Sequence, residues 1–462
     1  MLSRLFAATI AALSLCVEGA LAAEYYVARD GSDLRGSGSA ESPWGSIDYA
    51  VRQLDGGDTL TVRAGLYEGP DHFIANIPSG EPGRYTTIRA EQPMSVRIRH
   101  AGASLRYREN LAKLEGSYIR VDGFIFELAD SVSPPYVVRL NGDHLKLTRS
   151  IVKRSGRIDP YGGLVAVGGS YNLIEDVAGV GVCRYCFYTG GPKDDDHRII
   201  FRRVVGRFDY ANSDQPKATF AAYGNNSGHR VREILMQNVI ALDGNYLGIG
   251  RERKYGGIYA PKNTAGLRIQ GGIILNEGSR YAGMFVQEQQ GRDTVVEHSL
   301  VWDLRGPHKH AGVRENGSGD DRFEHLTIGG RIQGRPIYTR QGRRASDSIL
   351  MPAPGSLDNL LDNGAKGARI IERYGRSGSL WGEPGFDERT DEPLWPWPYE
   401  DAIKTVFAEP NQPPEGYQPR QNDSRRGFTV ATDRFGERMT LSRYIWQYLG
   451  TPAPDWLYAK EN

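Results

Sequence analysis

The chain has 462 residues, 57 of them basic and 56 acidic, and a formal net charge of +1. That balance argues against a dedicated nucleic-acid binder or a membrane-surface protein. A hydrophobic share of 39% can bury a large core, while 57 glycines and 25 tyrosines point to an all-β protein with many turns and surface rings.

In chain order, the first segment does not read as part of the fold. Arg4 precedes an apolar run from Leu5 to Val17, and Ala20, Leu21 and Ala22 follow. This is the pattern of a secretory leader over residues 1–22, cleaved before Ala23. Leu15 is too large, beside Cys16, for the usual lipidation site. No later apolar run approaches the ~20 residues of a membrane helix. The expectation is an exported protein, periplasmic or secreted, with no membrane insertion.

Residues 42–69, "SPWGSIDYAVRQLDGGDTLTVRAGLYEG", predict a helix over Ser46–Leu54. Ile47, Ala50, Val51 and Leu54 fall on one face at helical spacing. A "DGGDT" turn and a short strand, "TLTVRAGLY", follow. From about residue 117 a unit then recurs: an apolar strand, a Gly/Asn-rich turn, an alternating strand and another turn. Examples are "VVRLNGDHLKLTRSIVKRSG", "LVAVGGSYNLIEDVAGVGVC" and "GMFVQEQQGRDTVVEHSLVWDLRG". The period of roughly 20 to 26 residues carries no helical stripe, so helical solenoids are excluded. Units this short must stack to bury their apolar faces. The predicted architecture is a right-handed parallel β-helix over residues 23–350, with the helix capping its open end and "TLTVRAGLY" as first rung. Within it, Cys183 and Cys186 in "CRYC" are read as a structural pair, bonded or packed as thiols, with redox or metal chemistry the lesser alternative.

The first strand of each unit alternates inward residues (Phe187, Phe220, Ala222, Ile258, Val313, Ile337) with outward ones. The outward set is Arg139, Tyr188, Tyr223, Tyr259, Gln287, Arg314, Tyr338 and Arg340. Such a column suits a hydroxyl-rich anionic chain, because rings stack on sugars and guanidiniums pair with carboxylates. Two insertions precede first strands and add cations: Arg251, Arg253 and Lys254 in one, Arg305, His308, Lys309 and His310 in the other. Beyond Pro352 the periodicity stops. Residues 351–462 form a Pro/Trp-rich extension, with Trp381, Trp395 and Trp397 and predicted helices at Tyr399–Phe407 and Leu441–Leu449, the second capped by Thr440. It is expected to pack along the solenoid.

The opening "YYVARDGSD" and the stretch after it resemble the start of exported bacterial right-handed β-helix proteins of the pectate-lyase-like superfamily, especially alginate and chondroitin lyase-like enzymes. The closest subgroup is uncharacterised, and the resemblance covers residues 25 to about 350. It implies a polysaccharide lyase acting on an acidic polysaccharide, as a monomer. Such lyases pair a Lys base with an Arg one coil later, and Lys262 followed by Arg280 is similar. Elimination also needs a cation on the carboxylate and an acid at the leaving oxygen. Arg314 is the candidate for the first, Tyr259 or His310 for the second. No clear trio of acidic or amide ligands stands beside Lys262, so Ca2+ is left open as a cofactor. The alternatives are a hydrolase using paired carboxylates, from Asp320, Asp321, Glu288 and Glu315, an epimerase sharing the lyase apparatus, or a non-catalytic polysaccharide-binding protein.

Overall fold

The computed structural model describes residues 22–350, apart from 103–108, 130–134, 157–161, 191–195, 211–217, 225–229, 245–254, 290–292, 305–310, 318–319, 341–344 and positions 263, 280, 331 and 333. Beyond these it describes 399–409, 427–433, 436–441 and 443–445. The strands pair in parallel, each with a strand one coil away. They stack into three walls of a parallel β-helix, wound in the right-handed sense that parallel crossovers adopt. Coil length is uneven: lateral neighbours stand 27 residues apart at Ser170 and His197 but 35 apart at Arg202 and Gln237.

The first wall, which positions the candidate site, is built from Gly163–Gly168, Tyr185–Thr189, Ala218–Ala222, Tyr255–Lys262, Ala282–Gln289, Ala311–Glu315 and Ile337–Thr339. Tyr136–Thr148 lies laterally before them. Alternation of side chains at period 2 sends one set inward. Val138, Val165, Phe187, Phe220, Ile258, Met284, Val313 and Ile337 are successive lateral partners. All but Ile337 are fully buried, and the Phe187 and Phe220 rings stack 5.2 Å apart. Register is therefore fixed by the core.

The corner between the second and third walls uses one residue with positive φ per coil, among them Asp176, Asn238, His298 and His325 at φ 55, 48, 48 and 51. Short polar side chains tolerate this conformation. Arg149 and Arg203 also adopt it, and both are held by ion pairs: Arg149 to Asp122, and Arg203 two-pronged to Asp176 at 2.5 and 2.8 Å. Just before the corner, outward polar side chains link coil to coil. Arg202 donates to Gln237 (3.0 Å), Gln237 to Gln270 (3.1 Å) and Gln270 to Glu297 (2.6 Å).

Coils approach so closely at Gly142 that a Cβ there would lie 2.0 Å from the Gly116 carbonyl oxygen. Gly142→Ala is expected to force the coils apart and cost about 2 kcal/mol, read as a lowered thermal midpoint.

The capping helix runs over Ile47–Val51, shorter than Ser46–Leu54, with Ser46 as the extended N-cap residue. Its Ile47, Ala50 and Val51 are fully buried and Leu54 is 7% exposed, so the anticipated face does cover the end of the core. The rung order differs from expectation. Thr59–Val62 pairs laterally with Glu24–Val27, which is thus the outermost rung of its wall. Val27 enters the core and Tyr25 stacks on Trp44 at 5.1 Å, which gives this four-residue strand its anchorage.

Cys183 and Cys186 are joined by a disulfide, Cα atoms 5.3 Å apart, at the tight corner between Val182 and Tyr185. The outside of the third wall is apolar as well. Ile151, Val180, Val205, Ile240 and Leu275 pack there against Ile403, Phe407, Phe428, Leu441 and Tyr444 from the C-terminal segment. Its helix spans Glu400–Ala408. Farther on, Thr440 Oγ1 accepts the Arg443 N–H at 3.1 Å and so caps the next turn.

Glu409 fastens this segment to the solenoid through Lys153 (2.6 Å) and Arg97 (3.1 Å). Burial alone would push its carboxyl up, but hydrogen bonds from Lys153 and Arg97 outweigh that and hold it below the ordinary range. A depressed carboxyl stabilises the folded state above its unfolded pKa, and that contribution disappears as pH falls through the folded value. The segment is expected to become more protease-sensitive as pH drops below about 4. Limited acid proteolysis of wild type against Glu409→Gln reads this; the variant should show less of the pH-dependent change.

Candidate functional site on the outer face of the first wall

The residues that follow the inward column point out, and they too lie in register. Lys113, Arg139, Ala166, Tyr188, Ala221, Tyr259, Phe285, Arg314 and Tyr338 are successive lateral partners. Five of the outward residues expected from sequence, Arg139, Tyr188, Tyr259, Arg314 and Tyr338, therefore share one column. Tyr223, Gln287 and Arg340 stand two positions farther along the chain than Ala221, Phe285 and Tyr338, outside that column. Sequence reasoning missed Phe285, which occupies the rung between Tyr259 and Arg314.

The two alanine rungs leave room for rings to lie along the wall. Tyr136 stacks on Tyr188 at 5.9 Å across the Ala166 rung. Tyr185 stacks on Tyr188 at 5.6 Å and on Tyr259 at 6.1 Å. Tyr259 continues the array to Tyr223 at 6.1 Å and to Phe285 at 5.9 Å. Tyr185, Tyr259 and Phe285 form a buried floor, whereas Tyr188 and Tyr223 are half-buried and Tyr338 is 40% exposed. Burial, with Asp196 nearby, pushes the Tyr188 phenol up to about 12. Burial also raises Tyr136 and Tyr185. These three phenols stay protonated at neutral pH.

Arg314 is the feature that sets this face apart. Its guanidinium lies over the rings of Phe285 (5.6 Å), Tyr281 (5.8 Å) and Tyr338 (5.0 Å). Its Nε is buried without a hydrogen-bond partner. Several arginines on the other walls are neutralised: Arg97, Arg202 and Arg203 all reach carboxylates within 3.1 Å. Among the described residues, Arg314, Arg139, Arg340 and Lys262 have no carboxylate partner. A guanidinium held between rings with donors to spare is suited to an incoming carboxylate or sulfate.

Lys262 ends its strand half-buried, and its carbonyl accepts the Gly224 N–H at 3.0 Å. The backbone register slips between Ala260 and Lys262, which pairs with Gln289. Tyr259 and Arg314 are two rungs apart with Phe285 between them, about 10 Å at the usual spacing of strands. Arg280, His310, Arg251, Arg253 and Lys254 lie outside the described residues, as does the side chain of Gln287. The last three cations stand in the connection between Ile240–Leu242 and Tyr255–Lys262, the latter a strand of this wall. Among the described residues, the candidate carboxylates Glu315 and Asp321 do not share a site. Glu315 faces the interior, fully buried, and its lateral partner is Val286 rather than Glu288. Asp321 is buried and accepts the Thr294 N–H at 2.9 Å, at the edge of a different wall. Among the described residues, no three His, Cys, Asp or Glu side chains are placed to hold a metal ion. No described helix is long and apolar enough to cross a membrane.

Comparison with solved structures finds similar chains at low identity. A complex of XylC with xylose is 11% identical, with TM-score 0.41, over 69% of this chain and 70% of that one. Pectate lyase Pel9A is 14% identical, with TM-score 0.40, over 76% and 83%. A rhamnogalacturonan lyase is 12% identical, with TM-score 0.40, over 80% and 96%. No family model and no curated protein sequence matches the chain. The strand pairing of the chain itself makes the protein a parallel β-helix.

Proposed function

We propose that this is an exported carbohydrate-active protein that binds an acidic polysaccharide along the outer face of the first wall and cleaves it by β-elimination. The supporting observation is Arg314, a cation without a carboxylate partner set among rings in a column of Tyr and Arg. Sugar faces would stack on Tyr188, Tyr223 and Tyr338, while Arg139, Arg340, Gln287 and the cations at 251, 253 and 254 meet acidic groups and hydroxyls. Arg314 would neutralise the carboxylate and so acidify the C5 proton. Lys262, with Arg280 nearby in sequence, is the base, and the hydroxyl of Tyr259 or the imidazole of His310 assists the leaving oxygen.

The test is incubation with a panel of polyuronates and glycosaminoglycans, following ultraviolet absorbance of the unsaturated product. The reading predicts absorbance that rises with time and is lost in Lys262→Ala. New reducing ends without that absorbance would mean hydrolysis. A second reading, non-catalytic binding, is favoured by the burial of Tyr259 and its two-rung distance from Arg314. It predicts retention on immobilised glycan with no product at all.

A further inference from the structure

The outermost rung ends in an unusual contact. Ala23 donates its backbone N–H to Asp58 Oδ1 at 2.8 Å, and its carbonyl accepts the Thr59 N–H at 2.8 Å. Asp58 is only 6% exposed, and its other oxygen accepts the Asp55 N–H at 2.9 Å. The nearest carboxylate in sequence, Glu24, is occupied elsewhere, by Arg89 at 2.6 Å. Ala22, one residue earlier, is exposed. Among the described residues, the first one tied into the fold is thus the one that the leader pattern makes the first residue of the exported chain.

We infer that removal of the leader turns this hydrogen bond into an ion pair between the new α-ammonium of Ala23 and the Asp58 carboxylate, locking the outermost rung. The inference rests on the export reading above. A signal-type endopeptidase hydrolyses the Ala22–Ala23 amide: water's hydroxyl goes to the Ala22 carbonyl carbon, and its proton to the Ala23 nitrogen. That amine takes up a second proton from solvent at neutral pH. Nitrogen and carboxylate are already within bonding distance, so the charge appears opposite its partner without any movement of the backbone. A charge-assisted hydrogen bond is roughly twice as strong as a neutral one. The strand it anchors, four residues long with one lateral neighbour, gains that charge only once the leader is removed.

The experiment has two parts. N-terminal sequencing of the exported protein should give Ala23 as the first residue. Recovery only with the leader attached would overturn both the export reading and this inference, whereas cleavage at another bond would overturn the inference alone. The unfolding equilibrium of the chain beginning at Ala23 is then compared with one carrying an additional alanine in front of it, each with and without Asp58→Asn. The extra residue moves the charge but keeps every backbone bond, so that chain still folds. It should unfold with a constant about tenfold larger, and Asp58→Asn should abolish the difference. If Asp58→Asn does not fold, acetylating the mature amino group supplies the same comparison. No difference between the two chain lengths, or a difference that survives loss of the Asp58 charge, would contradict the ion pair.

Discussion

Arg314→Ala is expected to lower affinity for an acidic oligosaccharide, or kcat/KM for its cleavage, by roughly ten- to hundredfold. Hydrogen bonds to a charged group contribute about 1.5–3 kcal/mol, and about 1.4 kcal/mol is tenfold in affinity. The loss should be confined to function. Arg314 makes no ion pair among the described residues and leaves its Nε unbonded, so its removal strips no partner of a hydrogen bond. The thermal midpoint should stay close to wild type. Arg314→Lys should not restore binding, because an ammonium has no flat face to lie against Phe285 and Tyr338. Titration with a uronate oligomer by calorimetry measures all three proteins.

Asp243→Ala is expected to act on stability instead. Asp243 is 6% exposed and gathers the C-terminal segment onto the solenoid. It accepts the Phe428 N–H at 2.9 Å, the Asn276 side-chain amide at 2.7 Å and the Tyr444 hydroxyl. Deleting the carboxylate leaves those buried donors without this acceptor, each at about 1–3 kcal/mol, so a loss on the order of 3–5 kcal/mol follows. The apolar contacts of Phe428 and Tyr444 with the third wall depend on the same geometry. Cleavage by a protease should therefore shift to the C-terminal segment, ahead of global unfolding. Fragments mapped by mass spectrometry would show it, and Asp243→Asn, which keeps an acceptor oxygen, should be milder.

Much of the fold could be read from sequence because a stacked coil repeats its chemistry. Phe187, Phe220, Ile258, Val313 and Ile337 recur at the same place in each unit, and they are lateral partners in one inward column. The site was only partly legible. "GIYA", "GMFV" and "GVRE" share a glycine, an apolar residue and then the outward residue. Aligning them would have put Phe285 beside Tyr259 and Arg314. Gln287 draws attention instead because it is polar, which is a matter of residue type and not of register. Tyr185 and Tyr136 were also missed, since they stand before the alternating part of their strands and join the array through ring stacking. The extra rung at Glu24–Val27 escaped because no unit of the recognised length precedes Thr59–Val62. The separating segment is taken up by the capping helix.

The proposed glycan contact is one continuous outer wall. Hydroxyl-radical footprinting with and without a long acidic oligosaccharide tests it most directly. Tyr188, Tyr223 and Tyr338 should be protected together, and that protection should be lost in Arg314→Ala. Protection centred on the stacked Tyr118, His144 and Tyr171 rings at another edge of the solenoid, or no protection with any acidic glycan, would contradict it.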